Sequence, residues 1–488
     1  MGEKEGVCMT GDHGFGDRFP PRTIAIVGVS RSEGSVHPGY TGLQLLRTLR
    51  DAGFQGPVYP VNPHASTLEG LPVYPRVSAI PEPPDMVIVT VPAAAVPEVL
   101  EDCVVAGTRN VQVCTSGFAE TGLEEGIRLE HRVREIALRG GLRLIGPNCM
   151  GFQVPSVGMK MFSDVDLVPG PVAFVSQSGG HARIFLHHGP HLGLGFSTVI
   201  SYGNAAVMDA PDFLDYLADD PETRVVCMYL EGIGDGRRLL EAVREVSPAK
   251  PIVVWKGGLT YSGARAASSH TGSLAGDRQV WEAFFRQTGA IRVGSIEEMA
   301  EVTMALLRLK PSSGRRVAVI GAGGGDSVAN GDICAEEGLD MPPVSPQTKD
   351  GLLEFIHLVN QGVMNPLDVP SVFGHVSTMR RAFDLLTADP IIDIVMVNLG
   401  SEFFLGPVGE AMGGLAECVV DVTGRPRSKP IVVAVNEQSK IERAERHLAR
   451  LREAGIVAYD SLRMACRALS RFAAYYEYIE EAGARTGR

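Results

Sequence analysis

The residue with the clearest chemical potential is His270, which lies in the stretch GARAASSHTGSLAGD over residues 263–277. Its neighbours are small, and Ser268, Ser269 and Thr271 add hydroxyl groups. No cysteine, aspartate or second histidine stands at metal-ligand spacing from it, so we do not predict a metal site. A bulky transferable group such as a phosphoryl needs this clearance on one imidazole nitrogen, while a partner holds the other. The stretch therefore favours a group-transfer histidine over the alternative, a solvated histidine in an ordinary loop.

Two small-residue loops stand where a predicted strand gives way to a predicted helix. In SQSGG, residues 176–180, hydroxyl and backbone N–H groups can cradle a phosphate with help from the helix dipole, although an ordinary serine N-cap is the alternative. The second loop, GAGGGDSV over residues 321–328, offers the same geometry without the G-K-[ST] tail of a Walker loop. We predict phosphate binding by Ser176, Gln177, Ser178, Gly179, Gly323, Gly324 and Gly325.

A third loop, GVSRSEGS from Gly28, ends the first apolar strand without the G-x-G-x-x-G spacing of dinucleotide-binding loops. An NAD site also needs an acid at the end of the second strand, and that strand ends in Val61-Asn62-Pro63-His64. The 3′-phosphorylated adenosine of coenzyme A does not need that acid. The loop therefore favours CoA over NAD, with a purely structural turn as the alternative.

Short apolar runs alternate with glycine or proline turns and amphipathic segments of helical length, which is typical of α/β units with parallel strands. Strand–loop–helix openings start at Arg22, Gly170 and Arg315, and the polar segment KPSSGRR over residues 310–316 resembles a linker. A length of 488 residues suits roughly three domains. We predict three doubly wound α/β domains over residues 15–154, 155–309 and 316–480, with ligands at the carboxyl ends of the strands.

Composition and charge exclude several classes of function. The net charge is −12 and no basic patch is evident, so we do not expect nucleic-acid binding. The N-terminus lacks the apolar run of a signal peptide, and no segment offers about 20 uninterrupted apolar residues, so we expect a cytoplasmic protein and no membrane association. The eight cysteines include no CxxC pair, which fits reduced thiols and argues against a zinc site.

From about Phe15 to Ala474 the sequence resembles the NDP-forming acyl-CoA synthetases, relatives of succinyl-CoA synthetase. The motifs that carry the resemblance occur in this order: IAIVGVSR, YPVNP, VIVTVPA, TSGFAE, IGPNCMG, VSQSGG, YLEGI, AASSHTGSLAGD and MNPLDV. The resemblance implies a CoA-binding Rossmann-like domain followed by two flavodoxin-like, succinyl-CoA-synthetase-like parallel-sheet domains.

The resemblance also implies roles for individual residues. His270 matches the histidine that is phosphorylated in the family, and Glu231 matches the carboxylate that holds its second ring nitrogen. The SQSG loop and the glycine loop of the last domain resemble the two helix N-termini that embrace the phosphoryl group. The implied CoA-binding residues are Gly28, Val29, Ser30, Arg31, Asn62, Pro63, Val91, Pro92 and Asn148.

The implied reaction converts acyl-CoA, phosphate and ADP reversibly into a small carboxylic acid, CoA and ATP, through an acyl phosphate and a phosphohistidine. The ATP-grasp portion of the family, which binds ADP or ATP with Mg²⁺, has no counterpart in this sequence. We therefore expect the α-type subunit of an ADP-forming acid–CoA ligase, such as an acetate–CoA ligase, in a hetero-oligomer with an ATP-grasp β-type subunit. The alternative is a non-catalytic CoA-binding regulatory protein with a relic site.

One residue departs from the pattern of the family. His181 follows SQSGG, where smaller apolar residues are expected. It either contacts the substrate or caps the helix.

Overall fold

The described part of the chain forms three largely parallel β-sheets of five, six and five strands, with one additional two-stranded hairpin. The computed structural model describes residues 19–30, 41–260, 262–263, 277–321, 324–358, 361–400, 412–426, 428–435 and 442–486. One compact unit holds the first two sheets, and a second holds the third sheet together with His191–Leu194 and the chain from Glu297 onwards. None of the described helices combines the length and the apolar character that crossing a membrane requires.

The first sheet is entirely parallel. Its strands are β1 (Ile24–Val27), β2 (Val58–Val61), β5 (Met86–Val89), β6 (Asn110–Val113) and β7 (Arg143–Ile145), in the order β2-β1-β5-β6-β7. Strands β3 (Thr67–Leu68) and β4 (Leu71–Pro72) form the hairpin. The helices of this part are α1 (Gly42–Asp51), α2 (Val96–Ala106) and α3 (Glu124–Gly140).

The second sheet has one antiparallel edge strand and five parallel strands. Its strands are β8 (Gly151–Gln153), β9 (Pro169–Ser176), β10 (Phe196–Ser201), β11 (Val225–Leu230), β12 (Ile252–Lys256) and β13 (Ile291–Val293), in the order β13-β12-β11-β9-β10-β8. The helices are α4 (Gly179–His188), α5 (Ala210–Asp219), α6 (Gly236–Val246) and α7 (Arg278–Thr288).

The third sheet is again parallel. Its strands are β14 (Val317–Gly321), β15 (Leu367–Asp368), β16 (Ile394–Leu399), β17 (Ile431–Val435) and β18 (Ala458–Tyr459), in the order β15-β14-β16-β17-β18. The helices are α8 (Ile296–Arg308), α9 (Gly324–Glu336), α10 (Pro346–Leu353), α11 (Val376–Ala388), α12 (Met412–Gly424), α13 (Glu442–Glu453) and α14 (Leu462–Thr486). Short 3₁₀ turns occupy Val77–Ala79, Ala93–Ala95, Ala119–Thr121, Pro155–Val157, Gly189–Leu192 and Pro370–Gly374.

The central strands are mostly apolar and are buried along their length, because helices cover both faces of a doubly wound sheet. Every residue of VVCMYL in β11 and of IVMVNL in β16 is buried. Each parallel sheet reverses its winding direction at one point, between β1 and β5, between β9 and β11, and between β14 and β16. Ligands bind at such switch points, at the carboxyl ends of the strands.

The prediction of an α/β fold with parallel, doubly wound sheets is confirmed. The boundaries 15–154, 155–309 and 316–480 remain a prediction. Strand β8 pairs with β10, so residues 151–153 contribute to the second sheet although they precede the boundary at 154.

Candidate active site

Three strands of the second sheet bring their carboxyl ends to one edge. Because β9, β11 and β12 are parallel neighbours, the register aligns Tyr229 of β11 with Ser176 of β9, and Leu230 of β11 with Lys256 of β12. Glu231 follows β11 directly. The predicted phosphate loop and the predicted carboxylate therefore lie beside each other at this edge.

The chain segment that contains His270 starts from the same edge, because it joins the end of β12 to the start of α7. His270 itself lies outside the described residues. At the base of the segment, Nζ of Lys256 donates a hydrogen bond to the carbonyl oxygen of Glu231 at 2.8 Å and another to the carbonyl oxygen of Gly257. The backbone at Glu231 and the first residue of the histidine segment are thus held by one ammonium group.

Glu231 is buried, with 8% of its surface exposed, and further hydrogen bonds fix it. Its N–H donates to Oε1 of Gln177, which also accepts the N–H of Gly232 at 2.9 Å. The hydroxyl of Tyr229 donates to Oε1 of Glu231 at 3.1 Å. Both the main chain and the carboxylate of Glu231 are therefore held in one orientation.

The SQSG loop forms a tight turn into α4. Ser176 Oγ donates to the carbonyl oxygen of Ser178 at 2.7 Å and accepts the N–H of Ser178 at 3.1 Å. Ser178 is the N-cap of α4, and its Oγ accepts the N–H of His181 at 3.3 Å. The loop therefore has the geometry of an ordinary serine N-cap, the alternative to a phosphate-binding loop. Gly179 is the first helical residue, so the N-terminus of α4 lies at the same edge as Glu231.

His181 occupies the first turn of α4 and packs against aromatic side chains. Its ring centre lies 4.2 Å from that of Tyr229 and 4.7 Å from that of Trp255. Ser178, and not His181, supplies the side-chain cap of α4, and the imidazole of His181 packs against this aromatic cluster.

Lys256 is a buried cation beside Glu231, with 4% of its surface exposed. Burial lowers the pKa of Lys256 to about 8, although the charge of Glu231 opposes the shift. Its Nζ also lies 5.1 Å from the centre of the Trp281 ring, a cation–π contact. Lys256 and Tyr229 were not identified as site residues from the sequence. The feature that could have indicated Lys256 is a lysine at the end of the apolar strand IVVWK.

Several of the predicted CoA-binding residues lie at the carboxyl edge of the first sheet, close to its switch point. Gly28 follows β1 with φ of +97°, a conformation that favours glycine. Asn62 follows β2, and its Nδ2 donates to the carbonyl oxygen of Val29 at 2.7 Å. The register aligns the ends of β1, β2 and β5, so Pro63, Val91 and Pro92 follow at the same edge as Gly28. Ser30 lies within the described chain and Arg31 lies outside it.

Asn148 connects the first sheet to the second through a network of hydrogen bonds. Its Nδ2 donates to Oδ1 of Asn204 at 3.2 Å, and Nδ2 of Asn204 donates to Glu120 at 2.6 Å and Glu130 at 2.8 Å. Burial raises the pKa of Glu130, while the bond from Asn204 opposes the rise. Asn204 was not identified from the sequence. The feature that could have indicated it is the turn SYGN at the end of β10.

The glycine loop of the third sheet also leads from a strand into a helix. Strand β14 ends at Gly321 and α9 begins at Gly324, so Gly324 and Gly325 lie in its first turn. Gly323 lies outside the described residues. Among the described residues, no group of three His, Cys, Asp or Glu side chains could hold a metal ion.

Comparisons with known proteins agree with this arrangement. A family model described as a CoA binding domain matches residues 22–155, and one described as a succinyl-CoA ligase like flavodoxin domain matches residues 169–306. Together with the three sheets, these matches identify a CoA-binding Rossmann-like domain followed by flavodoxin-like domains of the succinyl-CoA ligase type.

Individual relatives define the family more closely. The acetate–CoA ligase [ADP-forming] I subunit alpha of Pyrococcus furiosus is 36% identical over 463 residues, which cover 93% of this chain and 96% of that subunit. The acetate–CoA ligase [ADP-forming] I of Archaeoglobus fulgidus is 39% identical over 384 residues, which cover 78% of this chain but only 54% of that protein. The chain therefore spans about half the length of this second relative.

A solved structure is similar along almost the whole chain. The dinucleotide forming acetyl-coenzyme A synthetase 1 of Ca. Korarchaeum cryptofilum, in complex with phosphate and ADP, has a TM-score of 0.83 and 32% identity, covering 95% of this chain and 97% of that chain. These findings show that the chain belongs to the NDP-forming acyl-CoA synthetases. Over almost its whole length it is similar to a relative named as the alpha subunit of an ADP-forming acetate–CoA ligase.

Proposed function

We propose that this chain is the α-type subunit of an ADP-forming acid–CoA ligase that works through an acyl phosphate and a phosphohistidine at His270. The observation that carries the proposal is the position of Glu231, a buried carboxylate fixed at the sheet edge from which the histidine segment starts. The N-terminus of α4 lies at the same edge, where its N–H groups and dipole favour an anion.

In the proposed sequence, an oxygen of inorganic phosphate attacks the thioester carbonyl of acyl-CoA and releases CoA as the thiol, which leaves an acyl phosphate. An imidazole nitrogen of His270 then takes the phosphoryl group and releases the carboxylic acid. Glu231 accepts a hydrogen bond from the second ring nitrogen and so stabilises the cationic imidazole. Phosphohistidine passes its phosphoryl group to ADP.

The SQSG loop is proposed to contact the phosphoryl group through backbone N–H groups, and the glycine loop that leads into α9 remains a predicted phosphate-binding loop of the second compact unit. Ser176 and Ser178 hold the first loop in shape, and Oε1 of Gln177 binds the Glu231 backbone. For this reason, we assign the phosphate contacts of this loop to its main chain and to the helix N-terminus rather than to the oxygen of Gln177.

CoA is proposed to bind at the carboxyl ends of β1, β2 and β5, where Gly28, Asn62 and Val91 lie. Gly28 has a positive φ, and Asn62 donates a hydrogen bond to the carbonyl oxygen of Val29. Both features support a preformed loop that the nucleotide can approach closely. The second strand ends without an acidic residue, which fits an adenosine whose ribose is phosphorylated.

The proposed partner is an ATP-grasp β-type subunit that binds ADP or ATP with Mg²⁺. The support is that relatives covered almost completely by this chain are named alpha subunits. The carboxylic acid is proposed to be small, as in the acetate ligases. The alternative of a regulatory protein with a relic site gains no support from any contact at Glu231.

The test is transfer of label to the protein. Incubation of the chain with acetyl-CoA and radiolabelled phosphate should give an acid-labile, base-stable label, as expected for a phosphoramidate. Label from ATP should appear only when the ATP-grasp subunit is added. His270→Ala should abolish both labels and leave CoA binding intact, whereas His131→Ala, an exposed histidine on α3, should change neither.

Glu231→Gln should slow labelling about ten- to hundredfold, because a neutral amide replaces one charge-assisted hydrogen bond. Undiminished labelling of His270→Ala would overturn the proposal.

A further inference from the structure

Tyr229 lies directly against the proposed catalytic carboxylate. Residues 229 and 231 are two positions apart at the end of β11, so their side chains leave the sheet on the same face. The Tyr229 hydroxyl donates to Oε1 of Glu231 at 3.1 Å, and both residues are buried, at 7% and 8% exposure. A buried hydrogen bond between a neutral donor and a carboxylate is directional and stronger than one between neutral groups.

The ring of Tyr229 is fixed by aromatic neighbours from two other elements. The ring centres of His181, on α4, and Trp255, on β12, lie 4.2 Å and 4.8 Å away. Edge-to-face and tilted contacts of this kind stabilise one ring position. Rotation of the phenol away from Glu231 would therefore require two other side chains to move.

The Tyr229 hydroxyl also touches the start of the histidine segment. A Cβ atom at Gly257 would lie 2.8 Å from this oxygen, closer than carbon and oxygen tolerate, so the glycine leaves the room that the phenol needs. Burial, and secondarily the charge of Glu231, raise the pKa of Tyr229, which keeps the phenol protonated and able to donate. The hydroxyl thus lies between the carboxylate and the first residue after β12.

We infer that Tyr229 is a positioning residue for the reaction: its hydroxyl holds the Glu231 carboxylate in the orientation that receives the imidazole of His270. The inference rests on the proposed function. A purely structural tyrosine would serve equally well as phenylalanine, because the ring contacts would remain.

The test is Tyr229→Phe, measured by single-turnover labelling with acetyl-CoA and radiolabelled phosphate. Loss of the hydroxyl should slow labelling by about tenfold or more in a variant that still folds and binds CoA with native affinity. Tyr216→Phe is the matched control, since that hydroxyl bonds to Thr198 on the same sheet and its loss should leave labelling unchanged. Gly257→Ala, which crowds the same hydroxyl, should also slow labelling.

A double-mutant cycle separates positioning from packing. If the hydroxyl acts through the carboxylate, Tyr229→Phe should cost much less in a Glu231→Gln background than in the native chain. Labelling of Tyr229→Phe at the native rate, or penalties that simply multiply in the double variant, would overturn the inference. If His270→Ala or Glu231→Gln labels normally, the proposed function fails instead.

Discussion

Substitution of Gly28 by alanine probes the proposed CoA loop. Gly28 has φ of +97°, and a Cβ there would lie 2.9 Å from Oγ1 and 3.1 Å from the carbonyl carbon of Thr90, and 3.0 Å from Cγ1 of Val91. The left-handed backbone costs an L-residue about 1–2 kcal/mol, and crowding of a packed site costs about 1–3 kcal/mol more. We expect Gly28→Ala to lower the free energy of unfolding by about 2–5 kcal/mol.

A matched control is available at Gly53. Its φ is +80°, and a Cβ there would have nothing within 4 Å. Gly53→Ala should therefore show the backbone cost alone, about 1–2 kcal/mol. The difference between the two variants isolates the crowding against Thr90 and Val91.

The assay is calorimetric titration with CoA, beside urea unfolding of both variants. Because Val91 is one of the proposed CoA contacts, displacement of Val91 and the Gly28 loop should weaken CoA binding about tenfold or more in Gly28→Ala, about 1.4 kcal/mol, and leave it unchanged in Gly53→Ala. Native CoA affinity in a folded Gly28→Ala protein would show that CoA does not approach this loop.

Two further predictions concern buried polar groups. The pKa of Lys256 is about 8 in the folded protein, against 10.5 ordinarily. As the pH rises, the folded chain therefore releases this proton before the unfolded chain does. The free energy of unfolding should consequently rise between those pH values, by at most about 3 kcal/mol. Lys256→Met should lack this rise, as urea unfolding of both proteins at about pH 7 and about pH 10 will measure; equal pH dependence would contradict the burial argument. Asn204→Ala should lower the unfolding free energy by about 3 kcal/mol, because Glu120 and Glu130 both lose a hydrogen bond to the same amide. A change in thermal unfolding no larger than that of an exposed substitution would refute this.

The fold could be predicted because its signals are local. Apolar runs such as IAIV and VVCMYL, each followed by a glycine, serine or acidic turn, mark central strands of parallel sheets, and the carboxyl ends of those strands locate Gly28, Ser176 and Glu231. Strand β8 was not predicted because its three residues pair antiparallel at an edge and lack a continuous apolar run long enough to be recognised.

The contacts of the site could not be predicted from local pattern. Glu231 is bound by Gln177, 54 positions before it, and by Lys256, 25 positions after it. These partners meet only because β9, β11 and β12 are neighbours in a particular register, which no single segment encodes. Asn204 joins Glu120 and Glu130 across 84 and 74 positions for the same reason.

The cluster around Tyr229 gives the protein an optical property. The chain contains two tryptophans, Trp255 and Trp281. The first packs on Tyr229 and His181, and the second lies beneath the ammonium group of Lys256. All indole emission from the purified chain therefore originates beside the proposed active site. Stopped-flow fluorescence can follow events at this edge of the second sheet without any introduced dye.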